Sequence, residues 1–77
     1  MRASRVFRLT VSRGGRLRRR EPIHRIEVTS IADSELILYW ELPAREATEL
    51  VKRLRADLTG TQAEEFLALW EGADIEG

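Results

Sequence analysis

The stretch at residues 35–58 limits most strongly what this chain can become. An apolar run, Leu36-Ile37-Leu38-Tyr39-Trp40, passes through Leu42 and Pro43 straight into a helical stripe with no room for a loop between them. Alternation sends Leu36, Leu38, Trp40 and Leu42 to one side and Glu35, Ile37, Tyr39 and Glu41 to the other, the two-residue period of a half-buried strand. Pro43 suits the first helical position, where a missing N–H costs nothing. Ala47, Leu50, Val51, Leu54 and Leu58 then recur at three- and four-residue steps and form one apolar stripe. A strand that turns directly into such a helix predicts that the helix lies back across the strand's apolar face.

Two further strands precede it. Phe7, Leu9 and Val11 alternate with Arg8, Thr10 and Ser12, and residues 23–31 continue in the same period. Gly14-Gly15 would permit a two-residue hairpin, but that register sets Val11 against Arg18 and Leu9 against Arg20 on the apolar side. A wider register avoids the conflict, with Phe7 opposite Val28, Leu9 opposite Ile26, Val11 opposite His24, and Arg8 opposite Glu27 outside. Residues 13–22 then form a long arginine-rich loop. At the other end of strand two, Ala32-Asp33-Ser34 supplies turn chemistry, and a three-residue loop sets Val28 opposite Leu38, Ile26 opposite Trp40 and Arg25 opposite Glu41. Both hairpins give the same inner face.

Gly60 is placed to end the long helix in a left-handed conformation. Thr61-Gln62-Ala63-Glu64 reads as a capping box that starts a short second helix, with Phe66, Leu67 and Trp70 on one face, Leu69 off it, and Gly72 as its stop. Residues 1–4 read as a frayed end and residues 73–77 as a loose acidic tail. The expected fold is α+β: an antiparallel three-stranded meander, a helix packed on one face, and a short second helix, all in one small domain at residues 1–77. Its expected core is Phe7, Leu9, Ile26, Val28, Leu36, Leu38, Trp40, Leu50, Val51, Leu54 and Leu58.

Composition excludes several classes of chemistry. The 77 residues include no cysteine and one histidine, so neither a disulfide nor a thiolate metal site is available, and no metal or cofactor is expected. The longest apolar run is five residues, far below the roughly 20 that span a bilayer, and no apolar signal core begins the chain. A cytoplasmic location is the expectation. Twelve arginines against one lysine match the codon usage of a GC-rich bacterial genome. Ser12, Ser30 and Ser34 have no positioned base, His24 and Glu27 fall on opposite strand faces, and no glycine-rich phosphate loop opens a helix. No enzymatic activity and no small-molecule substrate are expected.

Charge is lopsided although it sums to zero. Residues 1–25 hold nine arginines and one acid, whereas residues 26–77 hold four basic and twelve acidic side chains, so the two parts carry +8 and −8. Such asymmetry marks either a basic face for polyanions or two complementary surfaces. Two functional readings follow.

The first is a non-catalytic protein-interaction or regulatory module that works as a homodimer or a small subunit of a larger assembly. Its contact candidates are Val6, Ile37 and Tyr39 on the outer sheet face, with Arg8 and Arg25 at the rim, and Phe66, Leu69 and Trp70 on the second helix. The second reading is a nucleic-acid binder that follows phosphates with Arg13, Arg16, Arg18, Arg19 and Arg20. A solvated loop and a helix that merely caps the core are the structural alternatives to both.

Overall fold

The computed structural model describes residues 1–13 and 22–71. Six elements follow one another: α1 (Ala3–Val6), β1 (Phe7–Arg13), β2 (Ile23–Ser30), β3 (Leu36–Pro43), α2 (Ala44–Gly60) and α3 (Ala63–Trp70). The strands form an antiparallel sheet in the order β1-β2-β3, and the two longer helices follow, which makes the fold α+β as the sequence predicts. No described helix is long and apolar enough to cross a membrane.

The β2–β3 pairing is the one expected, with Val28 opposite Leu38, Ile26 opposite Trp40 and Arg25 opposite Glu41. The β1–β2 pairing is displaced by two residues, so Leu9 faces Val28, Val11 faces Ile26, Phe7 faces Ser30 and Arg13 faces His24. An even displacement keeps every side chain on its expected face. It replaces the anticipated Arg8–Glu27 pair by Thr10–Glu27, and that one exposed ion pair was too weak a signal to fix the register.

A bulge interrupts the second hairpin. Pairing steps from Val28–Leu38 to Thr29–Leu36, so Ile37 has no partner of its own. Ile37 consequently packs against the core, while Leu36, expected inside, is 51% exposed. The connection closes with Ser34 at φ 61°, its N–H donating to the Ser30 carbonyl at 2.7 Å. Asp33 accepts from the Glu35 N–H at 3.1 Å, the short acid side chain standing in for a backbone partner.

The core is a continuous cluster of Ala3, Phe7, Ile26, Val28, Leu38, Ala47, Leu54, Leu58, Phe66 and Trp70. Leu9, Trp40, Leu50 and Val51, expected in it, are partly buried and pack against it. α2 lies across the inner sheet face and touches all three strands. It ends at Gly60 without a left-handed φ, and extended Thr61 turns the chain instead, donating from both its N–H and its hydroxyl to the Asp57 carbonyl.

That use of Thr61 moves the cap of α3 one residue on. Gln62 becomes the N-cap, and Glu65 rather than Glu64 reaches back to the cap N–H at 3.2 Å. α3 then brings Phe66 against Phe7, with ring centroids 5.4 Å apart, and Trp70 edge-on to Trp40 at 5.8 Å. The Trp70 indole N–H donates to Asp57 at 2.8 Å, which satisfies its one polar group at the edge of the core.

The first residues are not frayed. Ala3 is fully buried, its N–H donates to the Thr61 carbonyl at 2.9 Å, and the Ala63 N–H donates to the Met1 carbonyl at 2.8 Å. Arg2 adds a bond from its guanidinium to the Thr59 carbonyl at 2.9 Å. The end of α2 and the start of α3 leave backbone groups without helical partners, and the chain start satisfies them.

Candidate nucleic-acid interface

The strand and helix periods together put cations along one side of α2. Thr48, Lys52 and Arg55 follow at steps of four and three residues, so they share the flank that overhangs β1. Beneath them, β1 contributes Val11 and Arg13 and β2 contributes His24, all pointing to the inner side of the sheet beyond the packed core. These residues, with Ala47 and Val51 as an apolar floor, line an open cleft of about 370 Å³.

Its electrostatic character is one-sided. Arg13, Lys52 and Arg55 are exposed, His24 is half-buried, and none of the described residues lining the cleft is acidic. Glu49 lies 3.8 Å from the Lys52 ammonium with both side chains about 70% exposed, a pairing too solvated to neutralise the site. The Ala44 N–H donates to the Pro22 carbonyl at 3.0 Å and anchors the start of β2 to the start of α2. Both ends of the arginine segment are thereby fixed: one at Arg13 in the cleft wall, the other at Pro22 against α2.

Of the five arginines singled out by sequence, Arg13 lies in this cleft, while Arg16, Arg18, Arg19 and Arg20 lie outside the described residues, as does the acidic tail at residues 73–77. His24, Lys52 and Arg55 were not among the expected anion-binding residues. The three-residue spacing of Lys52 and Arg55 was visible as a pattern. Their approach to Arg13 depends on the β1–β2 register and on the tilt of α2.

The contact candidates scatter. Phe66 and Trp70 are buried in the chain's own core at 0% and 6% exposure, so the apolar surplus of α3 is spent internally and Leu69, 61% exposed, is what that helix offers to solvent. Val6, at the end of α1, and Ile37, at the bulge, are half-buried and packed on the core. Tyr39 stands on the outer sheet face, 37% exposed, beside Leu36. Its hydroxyl donates to Glu41, which also lies 3.9 Å from Arg25. That hydrogen bond to a carboxylate holds the Tyr39 phenol above its ordinary pKa, and Glu41's charge adds to the effect.

Asp57 is engaged by Trp70, and Arg53 sits over the Trp70 ring at 5.7 Å. No family model, curated protein or solved structure matches this chain.

Proposed function

We propose that this protein is a non-catalytic binding module that holds a nucleic acid by its phosphates. One observation carries the reading: Arg13, His24, Lys52 and Arg55 converge on a cleft with no acid among its described lining residues, next in sequence to a segment that adds Arg16, Arg18, Arg19 and Arg20. Cations grouped in this way displace condensed counterions from a polyanion, and the gain is entropic and steeply dependent on salt. A nucleic-acid ligand agrees with a cytoplasmic location, and the preference for arginine over lysine with a bacterial source.

The test is affinity for a labelled oligonucleotide as a function of salt. The logarithmic slope should fall by about 0.9 on duplex DNA for each phosphate contact removed, so Lys52→Ala and Arg55→Ala should each flatten it. Binding that ignores salt and both substitutions would overturn the reading.

A second reading, a protein-interaction module acting as a homodimer or small subunit, is favoured by the outer sheet face. No described element covers that face, and Leu36 and Tyr39 are exposed there on β3, with Arg25 on the neighbouring strand β2. Its check is the mass in solution: Leu36→Asp should reduce a dimer to a monomer, and a wild-type monomer without a partner removes the reading.

A further inference from the structure

Nucleic-acid binders draw on two separable sources of affinity: charge, which follows phosphates, and aromatic faces, on which unpaired bases stack. The position of every aromatic residue in this chain is known. Phe7, Phe66 and Trp70 belong to the core and Trp40 packs against it, while Tyr39 lies on the outer sheet face, the side opposite α2 and its cations. The sequence contains two Trp, two Phe and one Tyr, so these five complete the set and the arginine segment brings none. His24 is the one ring in the cleft, and a single half-buried imidazole makes no track for successive bases.

Resting on the nucleic-acid reading above, we infer that the ligand is double-stranded. A duplex presents one charge per about 1.7 Å of axis against about 3.4 Å for one strand, and releases about 0.9 counterion per neutralised phosphate against about 0.7. For a site touching about five phosphates, that difference in slope amounts to roughly tenfold in affinity at about 100 mM salt. A single strand recovers such a deficit by stacking its bases on aromatic side chains. The basic side of this molecule offers no aromatic platform for that recovery. The recognised chemistry is the close spacing of phosphodiesters on paired strands, which DNA and RNA duplexes share.

The inference is tested with the full chain by fluorescence anisotropy against four probes of one sequence: a DNA duplex, an RNA duplex, and one single strand of each. At least one duplex should bind about tenfold tighter than its single strand at low salt, with the steeper salt slope. The triple replacement Arg13→Ala, Lys52→Ala, Arg55→Ala should weaken duplex binding, and Tyr39→Ala should leave every probe unchanged. These four positions are exposed, so the variants should keep the wild-type circular dichroism. Single strands that bind as tightly as duplexes, or a loss of single-strand binding in Tyr39→Ala, would overturn the duplex assignment while leaving nucleic-acid binding in place. Failure of all four probes to bind at low salt would remove both.

Discussion

Replacing Phe66 by alanine tests whether α3 belongs to the core or to a surface. The ring is fully buried, lies 5.4 Å from Phe7 and 6.2 Å from Trp70 between centroids, and fills the space where α3 meets the sheet. Truncating a buried phenylalanine removes its transfer free energy and leaves a cavity, together about 3 to 5 kcal/mol. At about 0.05 to 0.15 kcal/mol per residue the whole protein has only about 4 to 12 kcal/mol to lose. Phe66→Ala is therefore expected to remove about a quarter of the stability or more. With a urea slope of about 1 kcal/mol per molar, its midpoint should fall by about 3 M, or the transition should vanish.

The control sits on the same helix. Leu69 is 61% exposed, so Leu69→Ala should change stability by less than about 0.5 kcal/mol. Urea titration followed by tryptophan fluorescence and far-ultraviolet circular dichroism reads both variants. Equal shifts for the two, or a loss below about 1 kcal/mol for Phe66→Ala, would refute the packing of α3 described above.

Two further outcomes follow from the sheet. The chain has one tyrosine, so an ultraviolet absorbance titration reports Tyr39 alone, and it should ionise above the ordinary phenol value of about 10. Because the folded value is the raised one, the bond to Glu41 contributes in full below the unfolded value and is lost as pH rises through the folded one; Glu41→Gln should return the titration toward the ordinary value. The β1–β2 register is tested by oxidising cysteine pairs: Thr10→Cys with Glu27→Cys should cross-link readily, and Arg8→Cys with Glu27→Cys should not. The reverse result would restore the alignment that the exposed charges suggested.

The type and order of the three strands and the two longer helices were legible, because the period changes sharply at Pro43 from two residues in β3 to three and four in α2, whereas the one-turn helix α1 was not expected. The β2–β3 register was legible because apolar rows and the Arg25–Glu41 pair agreed on it. Between β1 and β2, however, two registers differ by an even step and bury the same face, and a long loop does not select between them. Ile37 and Leu36 exchanged environments because strict alternation leaves no place for a bulge. Ala3 was missed for another reason: one small residue carries no periodic signal, and its burial follows from backbone bonds to Thr61 and Ala63 made by its neighbourhood. The basic cleft was half legible. Arg13 stood in a visible run, whereas His24, Lys52 and Arg55 join it only once the helix is laid on the sheet.

The bonds between the chain start and the α2–α3 junction bear on the order in which the molecule is made. Met1 and Ala3 find their partners at Ala63 and Thr61, so contacts of the longest separation complete the structure. The β2–β3 hairpin and α2 can form from neighbours in sequence, but closing a loop of about 60 residues carries an entropic cost that such local pieces do not share. During synthesis, Ala3 must wait until the residues around position 61 have left the ribosome before its pocket exists. Residues 1–3 are thus made well before their partners at positions 61–63 and are placed only after them.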